Sequence, residues 1–94
     1  MGKYDGLTEM LMYTGEEVGE ITLKFDEIVK LIHSELPATA YKKGFWVNDR
    51  SFSKMQSMAW ISAGWLVKSA DIGDKQVTFK RDDKPRDEYF LQKD

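Results

Sequence analysis

The sequence predicts an α+β fold, about four helices packed on a small three-stranded antiparallel sheet, and three observations predict it. Apolar residues recur at helical spacing in three stretches, and Pro37 is placed to open a fourth, shorter helix. Three other stretches alternate or cluster apolar residues over five or six positions, as strands do. The last two of these are joined by a short glycine-containing link that suits a hairpin. Residues 1–80 read as one globular domain and residues 81–94 as a charged tail.

The first helix is expected from Tyr4 to Tyr13, with Asp5 placed to cap its opening turn, Leu7, Met10 and Leu11 on one side, and Gly15 ending it. Glu20 to Lys24 alternates Ile21 and Leu23 against Thr22 and Lys24, the period of a half-buried strand. From Phe25 the period changes: Ile28, Leu31 and Ile32 mark one side of a second helix. Its Asp26 and Glu27 sit where the helix dipole favours negative charge. That helix stops before Leu36-Pro37, and a short helix from Ala38 to Lys43 follows, ended by Gly44.

After Phe45-Trp46-Val47 and the turn-forming pair Asn48-Asp49, a longer helix is expected from about Ser51 to Ala63. At 100° per residue, Phe52, Met55, Met58, Ala59 and Ala63 span its apolar side, Ser53, Lys54 and Ser57 lie opposite, and Trp60 falls at the margin. Gly64 is the expected left-handed stop. Trp65 to Ala70 and Lys75 to Lys80 read as strands joined by Asp71-Ile72-Gly73-Asp74, with Val77 and Phe79 facing inward. Beyond them, Tyr89-Phe90-Leu91 is the one apolar cluster of the tail. Helices leading into a hairpin is also the element order of a winged helix.

With 41% hydrophobic and 32% charged residues, the composition is that of a folded soluble domain with no membrane span. Absence of cysteine removes disulfides, thiolate nucleophiles and Cys-based metal sites, and suits a reducing cytoplasm. The opening MGKYDG lacks an apolar export segment, and Gly6 stands where a myristoylation signal needs Ser or Thr.

The net charge of −2 is unevenly spread: three bases face eight acids over residues 1–39, five face one over 40–69, and six face seven over 70–94. The basic excess coincides with the stretch that holds all three tryptophans. A near-neutral chain cannot hold nucleic acid by its total field, but a local basic face can contact phosphates.

Catalytic constellations are weak. His33 is the sole histidine and stands at a helix end; adjacent Ser34 and Glu35 do not thereby point together. One imidazole with scattered carboxylates supplies no metal-ligand spacing, so neither a metal nor any other cofactor is expected. Asp82-Asp83-Lys84 has the Asp-x-Lys spacing of metal-dependent nucleases but follows the last strand in a polar run. The neighbouring acids Glu16-Glu17, Asp26-Glu27 and Asp87-Glu88 point apart.

The remaining group is Lys42, Lys43, Asn48, Arg50, Ser53, Lys54, Gln56 and Ser57, with Trp46 among them. Cations hold phosphates, Asn and Gln read base edges, and hydroxyls bond backbone oxygens, a mixture apt for nucleic acid. Its aromatic and Arg content is equally apt for a protein partner. Against both stands the plain reading: tryptophans in the core, Asn48 as a helix cap, and solvated charges.

Several stretches together resemble a family of small, functionally uncharacterised domains from bacteria and phages. They are Lys3-Tyr4-Asp5-Gly6-Leu7, Phe25-Asp26-Glu27-Ile28, Leu36-Pro37, Trp46-Val47-Asn48, Ala59-Trp60, Ala63-Gly64-Trp65 and Val77-Thr78-Phe79. Family members open Lys-Tyr-Asp-Pro-Leu, so Gly6 replaces a proline here. Their His-Ser-Gln run before the last helix reads Lys54-Met55-Gln56, which alters any polar site built on that histidine. Such domains occur alone or joined to nuclease-like proteins, so the resemblance implies work around nucleic acid or defence systems without assigning a reaction; with the basic stretch and the weak catalytic signals, the expectation is a non-enzymatic domain acting on nucleic acid or on a defence-related protein that processes it. The alternative, for an acidic member standing alone, is a phage-type inhibitor of a host defence nuclease, anti-CRISPR or anti-restriction, acting by protein-protein binding.

Overall fold

The computed structural model describes residues 2–49, 51 and 54–82, with the backbone alone for Lys43. Its central strand is β3 (Gln76–Arg81), flanked by β1 (Glu20–Lys24) and β2 (Trp65–Asp71) in the order β1-β3-β2, every pair antiparallel. Ile21 and Val67 stand opposite Phe79 from the two sides, and Leu23 opposite Val77. Alternation therefore does what it promised: Leu23, Trp65, Val67, Val77 and Phe79 are buried on one face. On the other, the Thr22 and Thr78 hydroxyls meet at 2.9 Å. A bulge between Val67 and Ser69 lets Lys68 turn outward, where its ammonium lies 2.7 Å from Glu20. Exposed on both sides, that ion pair contributes little.

The α+β class and the sheet are as the sequence predicts, but among the described residues there are three α-helices: α1 (Asp5–Met12), α2 (Phe25–Ile32) and α3 (Met55–Ile61). The expected helix over residues 38–43 is instead two 3-10 turns, Ala38–Tyr41 and Lys43–Phe45, with Lys42 extended between them. Trp46 explains the break. Its indole Nε1 donates to the Ala40 carbonyl at 2.8 Å, taking the acceptor that a continuing helix would need. Gly44 accordingly sits inside the second turn and stops nothing.

α1 starts one residue later than expected, and Asp5 is its first residue, not its cap: the Asp5 carboxylate accepts from the Gly2 amide at 2.9 Å. The helix ends at Met12, ahead of Gly15. In α2 the Glu27 carboxylate reaches back to the Lys24 amide at 2.8 Å, satisfying an otherwise orphaned donor. His33, left-handed at φ 55°, closes it. Gly64, at φ 88°, takes the left-handed position after α3 as expected.

α3 departs most from its sequence reading. It begins at Met55, and Phe52 and Ser53 lie outside the described residues. Its buried side is Ser57, Ala59, Trp60 and Ile61, while Met55 and Met58, expected in the core, are 66% and 40% exposed. The helix has apolar residues nearly all round, so two faces compete for burial. Trp60 and Ile61 bury more area than two methionines, and Trp60, placed at the margin by its spacing, is fully enclosed. There it stacks on Trp46 at 5.7 Å between ring centroids and meets Phe79 at 5.7 Å. Phe25 and Phe45 extend the cluster from Trp46, and Trp65 Nε1 donates to the Leu11 carbonyl at 3.0 Å. All three tryptophans belong to the core.

Candidate functional site

Of the eight residues singled out by sequence, five have described side chains, and three of these come together. Lys42, between the 3-10 turns, and Lys54, immediately before α3, line one open hollow of about 380 Å³ with Thr39, Gly44, Phe45 and Gln56. Both lysines are exposed, and Gln56 is half-buried with its Nε2 donating to the Phe45 carbonyl at 3.3 Å. No acid is among the lining residues described. Two cations twelve positions apart in sequence thus face one concavity, the arrangement that holds an anionic group at two points. The side chain of Lys43 and all of Arg50 and Ser53 lie outside the described residues.

Two candidates are structural. Ser57, expected on the exposed side of its helix, is fully buried: its hydroxyl donates to the Val47 carbonyl at 2.6 Å and accepts from the Asp49 amide at 3.2 Å. Both hydrogen bonds anchor the loop leading from Trp46 to α3, which is why a polar side chain tolerates that position. Asn48 is neither a cap nor a free reader of bases. Its Oδ1 accepts from Trp60 Nε1 at 3.0 Å and from the Val67 amide at 2.8 Å, while its Nδ2 donates to the Val67 carbonyl at 3.0 Å. Because β2 is an edge strand, the carboxamide occupies backbone groups that another strand would otherwise pair.

Arg81, assigned by sequence to the tail, ends β3 and ties down the link between α1 and β1. Its guanidinium lies 4.1 Å from the Trp65 ring and donates to the carbonyls of Thr14, Gly15 and Val18 at 3.1, 2.6 and 3.0 Å. An Arg directly after an alternating strand, opposite Trp65, was the available signal. Arg81→Ala is expected to cost about 2 kcal/mol, since three charge-assisted hydrogen bonds vanish together, and Arg81→Lys to recover little because an ammonium lacks the planar fork. Urea midpoints of the two variants check this.

Elsewhere the chemistry is sparse. His33 is exposed at the end of α2, Asp82 donates its amide to the Gly64 carbonyl at 3.0 Å, and Asp83, Lys84 and the Tyr89-Phe90-Leu91 cluster fall outside the described residues. Among the described residues no three His, Asp or Glu side chains group as a metal site, and no helix is long and apolar enough to cross a membrane. Burial raises the Tyr4 phenol above its ordinary pKa of 10.0.

No curated protein and no solved structure matches the chain. A family model described as a domain of unknown function, DUF7662, matches residues 4–82. That span runs from the N-terminal end of α1 to the residue after β3 and takes in the whole sheet, all three helices and the Lys42–Lys54 hollow. The chain is a member of this uncharacterised domain family.

Proposed function

We propose that the protein is a small non-enzymatic binding domain that engages nucleic acid through the hollow between Lys42 and Lys54. The observation that carries the reading is the convergence of these two exposed lysines with Gln56 on one concavity that has no acid in its described lining. The lysines supply phosphate contacts, and the Gln56 carboxamide, whose Nε2 is held by Phe45, keeps an acceptor oxygen for a base or sugar hydroxyl. Two cations make a modest electrostatic footprint, so binding is weak and strongly salt-dependent. The winged-helix element order is compatible with this reading but carries none of it.

Anisotropy titration of labelled single-stranded and duplex oligonucleotides at low salt tests the proposal. The Lys42→Ala, Lys54→Ala double variant should lower the log–log salt slope by about 2 and weaken binding by about tenfold or more at low salt. Its unfolding midpoint should be unchanged, as both side chains are solvated. Wild-type binding that is absent, or indifferent to the double substitution, would sink the reading. A second reading, inhibition of a host defence nuclease by protein-protein contact, draws on the exposed acids Asp5, Glu9, Glu16, Glu17 and Glu20. Protection of a nuclease's substrate without binding of that substrate would select it.

A further inference from the structure

A second concavity lies between α1 and α3, an open groove of about 370 Å³ lined chiefly by Tyr4, Asp5, Thr8, Met55, Met58 and Ser62. Thr8 Oγ1 donates to the Ala59 carbonyl at 2.8 Å, which holds the two helices at a fixed spacing. The small Ala59 side chain, also part of the lining, leaves the groove its depth. Met12, 58% exposed, continues the α1 wall one turn beyond Thr8. Three methionines thus stand in water, and among the described residues the other large apolar side chains exposed are Tyr13 and Tyr41. Such a patch marks an interaction surface, and unbranched thioethers repack around whatever apolar ridge they meet. Electrostatics narrows the partner. Asp5 is the only charged residue among the described lining and Glu9 stands exposed one turn along the same wall, while the Lys3 ammonium lies over the Tyr4 ring, 5.8 Å from its centroid.

We propose that this groove receives an amphipathic basic helix of a partner protein. The partner's apolar side chains, spaced i, i+3 and i+7, seat against Met55 and Met58, and its Lys or Arg side chains face Asp5 and Glu9. With methionines forming much of its lining and Asp5 its one charged lining residue among those described, this surface suits a different class of ligand from the Lys42–Lys54 hollow. At 1.5 Å per residue, the eight-residue α1 wall matches about two turns of bound helix.

The test uses the full chain labelled with ¹³C at the methionine methyls. The probes are an amphipathic Leu/Lys peptide of about 18 residues, a Leu/Glu counterpart, and a Leu/Lys peptide of identical composition in shuffled order. The Leu/Lys helix is expected to shift the Met55 and Met58 methyl resonances, with the other two peptides at least about tenfold weaker. Met58→Lys should weaken the Leu/Lys helix by about tenfold without lowering the unfolding midpoint. The Asp5→Asn, Glu9→Gln variant should erase the preference for Lys over Glu, and Lys42→Ala, Lys54→Ala should leave peptide binding unchanged. Equal binding of all three peptides, shifts centred away from the methionines, or no binding at all overturns the proposal. So does concentration-dependent self-association of the free protein that broadens the same methyls, because the occupant would then be a second copy.

Discussion

Gly6→Ala should destabilise the protein by about 3 kcal/mol or more, placing it at the top of the overpacking range. The sign is informative because local and tertiary terms oppose each other. Gly6 lies within α1, where alanine is favoured over glycine by about 1 kcal/mol, so an open site would gain stability. Here a Cβ would lie 1.8 Å from the Leu31 carbonyl oxygen and 2.7 Å from its carbon. The obstacle is α2 backbone, which no rotamer change relieves, so α1 must lift away. Lifting it opens the packing of Leu7 and Leu11 against Ile28 and Ile32, all buried in one cluster. For a domain of this size the loss is a melting temperature lower by about 12 °C or more. Thermal unfolding decides it, and a Gly6→Ala variant that melts higher would show that the helices do not touch there.

For Asn48→Ala the expected cost is also about 3 kcal/mol, from two donors and one acceptor left without partners. Trp60 is fully enclosed with Asn48 in place, and because Asn48 itself is exposed, water entering its vacated place recovers only part of the lost Nε1 hydrogen bond. The Val67 amide and carbonyl lose their cover at the sheet edge in the same step. Asn48→Asp keeps an acceptor but sets a second anionic oxygen where Nδ2 now donates to the Val67 carbonyl, and should also destabilise by more than about 1 kcal/mol. Had Asn48 been a free reader of bases, alanine would leave stability within about 0.5 kcal/mol and lower binding alone. Urea midpoints beside oligonucleotide titrations separate these outcomes. Lys42→Ala and Lys54→Ala serve as the reverse case, expected to lower oligonucleotide binding and to leave the urea midpoint unchanged.

Where a segment's burial is set by its own period, the sequence was sufficient. β1 begins and ends where the alternation of Ile21 and Leu23 does, Val77 and Phe79 face the core, and Gly64 adopts the left-handed stop. These are local rules: a strand has two faces, and one residue type accepts a positive φ cheaply. The basic excess between residues 40 and 69 was equally legible, as a count.

Tertiary structure decided what depended on competition or distance. A helix apolar on nearly every side does not say which face goes in, and only the aromatic cluster of Trp46, Trp60 and Phe79 turned α3 so that Ser57 was buried and Met55 and Met58 were left in water. Polar side chains cannot announce that their partners lie 10 or 19 residues away, as those of Ser57 and Asn48 do. From sequence alone, Lys42, Asn48, Lys54 and Ser57 were equivalent polar residues of one basic stretch. Hydrogen bonding divided them, assigning Ser57 to the scaffold because its buried hydroxyl must be matched and Asn48 because it serves the enclosed Trp60 Nε1 and the Val67 backbone, and leaving the two lysines in solvent.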